Sequence, residues 1–210
     1  NLAYKNHWQI LAHANGDAAI DQYLATIETA NSQYGQADRR NVIIHAQTMR
    51  EDQLDQAKKL GLIPSFFSLH TYYWGDWHKH ETLGAERANR ISPTGSALRK
   101  NLIFTEHHDA PVIPPKNMMV IDATVNRTTR SGDVLGEDQK VSPYIALKSV
   151  TDWAAYQYFE EKDKGTLEKG KLADLVVIDQ DPLKVPTQKI KDIKILATYK
   201  EGQLIYQSPQ

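Results

Sequence analysis

Four short apolar runs in this chain each end in a side chain that can bind a metal ion or move a proton. The runs begin at Trp8, Asn41, Leu62 and Leu102, and they lead to His13, His45, His70 and the triplet His107-His108-Asp109. From His13 to His45, His70 and Asp109 the steps are 32, 25 and 39 residues, close to the roughly 30 residues of one strand–helix–strand unit. This spacing predicts an α/β fold in which parallel strands alternate with helices.

Such a fold would bring the four landmarks together. Parallel strands present their carboxyl-terminal ends at one face of a sheet or barrel, where catalytic residues gather. Neutral imidazole nitrogens bind zinc and similar divalent ions, which lower the pKa of bound water to about 7. The pattern therefore predicts a hydrolytic metal site with His13 and His45 as ligands. For either histidine alone, a hydrogen-bonded residue at a strand end is the alternative interpretation.

The composition argues against several functional classes. The 210 residues include 25 basic and 26 acidic side chains, for a formal net charge of −1, so the charge favours neither nucleic acid nor an anionic membrane as a partner. The absence of cysteine excludes disulfides, thiolate zinc sites and cysteine nucleophiles, and it leaves the cellular compartment open. No stretch reaches the roughly 18 apolar residues of a membrane span.

Helices are predicted after the first two strands. Asp17 is expected to cap a helix that stops at Gly35, and Thr48 a second helix that ends at Gly61. The segment from Ser65 to Leu83, rich in aromatic and polar residues, predicts a long loop over the site face. Further helices are predicted at residues 86–99, with a break near Pro93, and at 118–130 and 143–161.

The predicted secondary structure changes near Gly165 from helices to short strands. A strand over Lys171–Asp179 and a hairpin over Ile193–Tyr206, turning at Glu201-Gly202, predict a small β region. We therefore expect a barrel part over residues 1–164 and β-sandwich strands over residues 165–210. The chain does not begin with Met, and its first run already leads into a histidine motif, so we expect it to be the C-terminal portion of a longer polypeptide.

Five stretches resemble the amidohydrolase superfamily, in the branch called amidohydrolase family 3, which includes deformylases of N-substituted formamides. They are His13-Ala14-Asn15-Gly16-Asp17, His45-Ala46-Gln47, the Ser68–Trp77 segment with Trp74-Gly75-Asp76-Trp77, Asp109-Ala110-Pro111-Val112, and the Gly165–Leu175 segment. They occur in the family's order across nearly the whole chain, and the last of them is the most specific.

The resemblance implies the C-terminal half of a TIM-type (β/α)8 barrel of the metal-dependent hydrolases, about strands five to eight, with a small β-sandwich built from both chain ends. Family members usually bind one or two divalent ions. His13 and His45 match the ligands on barrel strands five and six, and Asp109 matches the aspartate on strand eight that activates water. The first-strand His-x-His pair and the fourth-strand bridging ligand have no counterpart here, and His107-His108 replaces a Gly-Ser pair.

Several residues are candidates for contacts with a substrate. His70 is a candidate ligand, structural residue or oxyanion donor that polarises the scissile carbonyl. Tyr73, Trp74 and Trp77 would line an apolar substrate pocket, with core packing as the alternative. The His107-His108 pair would add a ligand or alter the pocket, with His108 as a candidate for substrate binding, whereas His78 and His80 are expected at the surface. Asp109 would move a proton from water to the leaving amine, unless it only forms a turn.

These candidates favour a metal-dependent hydrolase of carbon–nitrogen bonds other than peptide bonds, with zinc as the expected ion and a small amide-type molecule as substrate. The rival hypothesis is a non-catalytic regulatory or binding protein, because some members of this branch are exoenzyme regulatory proteins. An intact His-x-His pair upstream would favour the enzyme. An open half-barrel exposes sheet edges and an apolar interior, so we expect the N-terminal part of the same protein, or a second copy, to cover it.

Overall fold

Two β-sheets organise residues 1–209, which the computed structural model describes. The first sheet is parallel and four-stranded, and its strands lie side by side in chain order: β1 (Leu11–Ala14), β2 (Val42–His45), β3 (Ile63–Phe66) and β4 (Thr105–Glu106). The second is antiparallel and three-stranded: β5 (Leu175–Ile178), β6 (Ile195–Lys200) and β7 (Gln203–Gln207). The predicted α/β fold with a parallel sheet is confirmed.

Nine helices connect or flank these strands within the described residues. They are α1 (Leu2–Lys5), α2 (Asp17–Tyr34), α3 (Glu51–Leu60), α4 (Leu69–Trp77), α5 (Gly84–Ala88), α6 (Thr94–Arg99), α7 (Asn117–Asn126), α8 (Pro143–Val150) and α9 (Asp152–Gln157). A π-helical turn covers His78–Thr82, and 3₁₀ turns cover Glu137–Gln139 and Thr187–Asp192. Over residues 1–209, none of the helices combines the length and the apolar character needed to cross a bilayer.

Helices α2 and α3 pack against the parallel sheet through apolar residues at helical spacing. Ile20, Leu24 and Ile27 of α2 are buried together with Leu54 of α3 and Ile43 of β2. This core holds the strands in place, so that their carboxyl-terminal ends lie at one edge of the layer.

The prediction that Thr48 caps α3 is wrong. Its hydroxyl accepts a hydrogen bond of 2.8 Å from the main-chain N–H of Asp17, at the start of α2. Helix α3 begins three residues later, and the main-chain N–H of Arg50 donates to the side chain of Gln53 at 2.9 Å. Thr48 serves the other helix because β1 and β2 are neighbours and end side by side.

The predicted loop from Ser65 to Leu83 is also wrong, since most of this segment is the end of β3, helix α4 and the π-helical turn. Leu69 and Phe67 are buried in a cluster with Val120 and Ala123 of α7. The aromatic side chains that suggested a loop are therefore partly used to pack α4 against α7. Gly75 allows α4 to lie close to the segment that follows α7, because a Cβ there would lie 2.9 Å from Cγ2 of Thr129.

The remaining elements differ from expectation mainly at their ends. The helix predicted to run to Arg130 stops at Asn126, because Arg127 adopts a left-handed conformation with φ 53°. The helix predicted over residues 143–161 is broken at Thr151 into α8 and α9. The break near Pro93 and the hairpin turning at Glu201-Gly202 are confirmed.

The second sheet exposes apolar side chains. Val176 and Ile205 are 52% and 64% exposed, respectively. By contrast, Ile190 and Ile193, which precede β6, are buried in the core of the first sheet. The small sheet is thus joined to the larger unit through the segment between β5 and β6.

Candidate metal centre

A cavity of about 310 Å³ lies at the carboxyl-terminal ends of the parallel strands. Its lining comprises His13, Asn15, His45, Gln47, Phe67, His70, Trp74, Trp77, His78, Asp109 and Val112. Six candidate residues predicted from the sequence are among them: His13, His45, His70, Trp74, Trp77 and Asp109. Two others do not line the cavity: Tyr73 packs against the cluster of Phe67 and Val120, and the Nδ1 atom of His108 accepts a hydrogen bond from the main-chain N–H of Ala110 at 3.3 Å.

His45 reaches the cavity through an unusual backbone conformation. In the register of β1 and β2, His13 pairs with Ile44, and His45 pairs with Ala14. Since paired residues share a face of a sheet, strict alternation would put His13 and His45 on opposite faces. However, His45 has a φ of 73° and Ala46 a φ of 47°, a left-handed conformation that non-glycine residues adopt at a cost and that often marks functional sites. The two imidazole rings consequently lie 4.6 Å apart in an edge-to-face arrangement.

Three side chains offer donor atoms close enough to hold one metal ion. The Nε2 atom of His107 lies 3.2 Å from Nδ1 of His45, and one donor atom from each of His45, His107 and Asp109 lies within 4.8 Å of the other two. In a tetrahedral zinc site with Zn–N distances of 2.0–2.1 Å, ligand atoms are about 3.3 Å apart. Two imidazoles and a carboxylate at these separations fit a divalent ion. His13, on the neighbouring strand, lies beside His45 but outside this tight group.

Burial favours the neutral form of His45, His70 and His107. Desolvation lowers the pKa of His70 to about 3 and that of His107 to about 4. The pKa of His45 is also lowered by desolvation, although the nearby carboxylate of Asp109 partly opposes this effect. A neutral imidazole is the form that binds a metal ion. Nδ1 of His70 is buried without a hydrogen-bond partner among the described residues, so this ring keeps a free polar atom close to the cavity.

His78 does not lie at the surface, as predicted, but on the cavity wall. The π-helical turn that it begins brings its Nε2 atom within 2.8 Å of Nε2 of Gln47. The side-chain amide of Asn15 donates in turn to Oε1 of Gln47 at 2.9 Å. Asn15 and Gln47 both belong to the motifs that carry the family resemblance, and this was the only signal in the sequence for a polar wall formed with His78.

A buried carboxylate behind the cavity also escaped the sequence reasoning. Glu106 accepts hydrogen bonds from the main-chain N–H of Ser68 at 3.0 Å and from its hydroxyl at 2.5 Å. Ser68 immediately precedes α4, so these bonds position the helix that carries His70 and Trp74. Desolvation raises the pKa of Glu106 to about 7, against the lowering effects of Ser68 and of the buried Arg127.

Comparisons with known proteins indicate the family of this chain. The sequence profile of the amidohydrolase family matches residues 1–206. The chain is 26% identical over 195 residues to the N-substituted formamide deformylase of Arthrobacter pascens. The matched region covers 93% of this chain and 36% of that protein. It is 30% identical over 208 residues to the protein LONG AFTER FAR-RED 3 of Arabidopsis thaliana, with coverage of 97% and 35%.

Solved structures include a similar fold. An uncharacterized metal-dependent hydrolase from Pyrococcus horikoshii OT3 superposes with a TM-score of 0.71 and 31% sequence identity, over 85% of this chain and 35% of that one. The chain thus spans little more than a third of the length of the curated relatives it matches. The motifs at the strand ends, their convergence on one cavity and the match over residues 1–206 together establish that this chain belongs to the amidohydrolase family.

Proposed function

We propose that this chain carries part of the active site of a metal-dependent hydrolase that cleaves carbon–nitrogen bonds of small amide-type molecules. The observation that carries the proposal is the cavity itself: His13, His45, His70 and Asp109, delivered from four successive strand ends, line it together with Trp74 and Trp77. The similarity to an N-substituted formamide deformylase supports an amide-type substrate.

His13 and His45 would hold the ion, for which zinc is our first choice because neutral imidazoles suit it. A bound divalent ion lowers the pKa of water and polarises a carbonyl group. Asp109 would accept a proton from the attacking water on one carboxylate oxygen and deliver it to the leaving nitrogen, because an unprotonated amide nitrogen is a poor leaving group. His70, held neutral by its burial, would donate a hydrogen bond to the oxyanion that develops on the carbonyl.

The apolar wall suggests how a substrate would be oriented. Trp77 and Val112 line the cavity and are 53% and 59% exposed. Apolar surface beside a few polar groups is typical of small-molecule sites. An aliphatic or aromatic substituent on the amide would pack there, which leaves the scissile bond near Asp109.

We further propose that the parallel sheet is the second half of a (β/α)8 barrel, and that residues 165–210 contribute strands to a β-sandwich. The N-terminal part of the same protein would supply the remaining strands and the remaining metal ligands. The half-exposed apolar side chains of β1 and β5–β7, such as Leu11 and Val176, support such a covering segment, although a second copy of the chain would serve the same purpose.

The test is hydrolysis of a panel of N-substituted formamides and other N-acyl amines by the complete protein loaded with Zn²⁺, with amine release as the readout. We expect turnover by the wild type and a fall of about 10²–10⁴ in kcat for Asp109→Asn, since Asn cannot accept the proton. Metal content measured in parallel separates loss of the proton acceptor from loss of the ion. Asp163→Asn, which changes an exposed carboxylate outside the cavity lining, is the control.

Two outcomes would count against the enzyme. Near-normal turnover by Asp109→Asn would remove Asp109 from the catalytic assignment. Absence of hydrolysis by the metal-loaded wild type across the whole panel would favour the regulatory or binding alternative.

A further inference from the structure

We infer that His107 is a further metal ligand, which together with Asp109 joins His45 in holding the divalent ion. The inference deepens the proposed function and rests on it for the presence of an ion. It goes further by assigning a ligand that neither strand-end spacing nor the family resemblance assigned.

The ring of His107 is oriented from several sides. Its Nδ1 atom lies 3.1 Å from the hydroxyl of Ser65 on β3, and the ring of Phe67 stacks on it at 5.5 Å with an interplanar angle of 21°. The main-chain N–H of His107 donates to the carbonyl oxygen of Phe66 at 3.1 Å. Histidines that bind metal ions are typically oriented by such a hydrogen bond to the ring nitrogen that does not face the ion.

The other ring nitrogen, Nε2, faces His45 at 3.2 Å. A hydrogen bond between two neutral imidazoles would account for this pair alone. It would not account for the third donor, because an oxygen of Asp109 lies within 4.8 Å of one ring nitrogen of each histidine and Asp109 takes a left-handed backbone conformation with φ 52°. Two neutral imidazoles and one carboxylate that converge from the ends of β2 and β4 form a donor set suited to a divalent ion.

The arrangement is compatible with proton transfer by Asp109. A carboxylate has two oxygens, so one can bind the ion while the other accepts a proton. The neighbouring residue provides an internal comparison. His108 follows His107 directly and is similarly part-buried, but its Nδ1 atom accepts a local hydrogen bond from the main-chain N–H of Ala110, and it does not belong to the group of converging donor atoms.

The experiment is calorimetric titration of the EDTA-treated complete protein with ZnCl₂, using the wild type, His107→Gln and the matched control His108→Gln. Gln at position 107 keeps an amide that can hydrogen-bond to His45 but is a poor zinc ligand. A residue that only hydrogen-bonds to a ligand changes metal affinity about 10–100-fold. Loss of a ligand should therefore raise Kd by at least about 100-fold in His107→Gln, with less than about a threefold change in His108→Gln. Far-UV circular dichroism checks that all three proteins are folded.

A second measurement counts ligands directly. In the Co²⁺-loaded protein, each bound histidine with a protonated outer nitrogen gives one strongly shifted proton resonance. We expect His107→Gln to lack one such resonance that His108→Gln retains. This readout holds even where a variant binds the ion weakly, because it is recorded at saturating Co²⁺.

The outcomes separate the inference from the proposed function. If the wild type binds Zn²⁺ and His107→Gln binds it equally well with an unchanged set of shifted resonances, the inference is overturned and the proposed function stands. Equal losses in His107→Gln and His108→Gln would also overturn it. If the wild type binds no divalent ion, both the inference and the proposed metal dependence fail.

Discussion

Glu106 offers the sharpest test of the structure, because its carboxylate is ionisable yet buried behind the candidate metal centre. It is 8% exposed and accepts two hydrogen bonds from Ser68. Desolvation raises its pKa from 4.5 to about 7. We predict that Glu106→Gln makes the protein relatively more stable as pH rises, because Gln keeps the shape and removes the ionisation.

The direction and the size of this pH effect follow from the pKa of Glu106 in the unfolded and the folded state. Between pH 4.5 and pH 7 the folded state binds more protons at Glu106 than the unfolded state, so the contribution of Glu106 to the free energy of unfolding falls as pH rises. Each pKa unit is worth about 1.4 kcal/mol, so ionised Glu106 costs the folded state about 3 kcal/mol above pH 7. The stability difference between Glu106→Gln and wild type should thus change by about 2–3 kcal/mol from pH 5 to pH 8, in favour of Gln.

The assay is urea unfolding followed by tryptophan fluorescence, in EDTA, at several pH values between 5 and 8. His45, His70 and His107 also titrate. Their lowered pKa values make the folded state less stable as the pH falls below the ordinary pKa of histidine. This effect is common to both proteins and cancels in their difference. Glu28→Gln, which changes a half-exposed carboxylate of α2, is the control and should show a nearly constant difference.

A difference between Glu106→Gln and wild type that stays constant from pH 5 to pH 8 would refute the desolvation of Glu106. A wild type that gains stability over the variant as pH rises would show that Arg127 and Ser68 outweigh the burial.

Three further predictions concern other parts of the molecule. His13→Ala should lower the bound divalent metal measured by elemental analysis, because it removes an imidazole beside His45. Trp77→Ala should raise KM for amides with apolar substituents while the free energy of unfolding changes by less than about 1 kcal/mol, because this side chain is 53% exposed. Gly95→Ala should destabilise the protein by about 1–3 kcal/mol in urea unfolding, because the added Cβ would overlap the main-chain carbonyl oxygen of Asp138.

Controls are available for the histidine and the glycine changes. His80→Ala removes an exposed histidine outside the cavity lining and should leave metal content unchanged. A Cβ at Gly16 would meet no atom within 4 Å, so Gly16→Ala should have little effect on stability. Unchanged metal content in His13→Ala, a loss of several kcal/mol in Trp77→Ala, or equal stabilities of the two glycine variants would each contradict the corresponding interpretation.

The strand–helix alternation was readable from the sequence because local patterns determine it. Apolar residues at helical spacing, such as Ile20, Leu24 and Ile27, have no other way to be buried together. The histidines at the strand ends were readable for a related reason, since parallel strands bring equivalent ends to one edge. Six of the candidate residues accordingly line one cavity.

Helix α4 could not be predicted from the sequence, because its aromatic and polar residues lack a clear apolar stripe. Its burial depends on α7, some 50 residues away along the chain, whose Val120 and Ala123 cover Phe67 and Leu69. The same holds for His78, which reaches the cavity only because the π-helical turn continues α4 beside Gln47. A pattern within one segment carries no information about the segment that will cover it.

Sequence by itself thus determined the fold class, the family and the edge of the sheet at which the candidate site lies. Tertiary structure decided which of two adjacent histidines faces His45, because only the packing of Ser65 and Phe67 orients the ring of His107. It also decided that Glu106 is buried, since the pKa of a carboxylate depends on how much water the surrounding elements exclude. Burial and convergence are properties of distant segments brought together, and no local pattern can specify them.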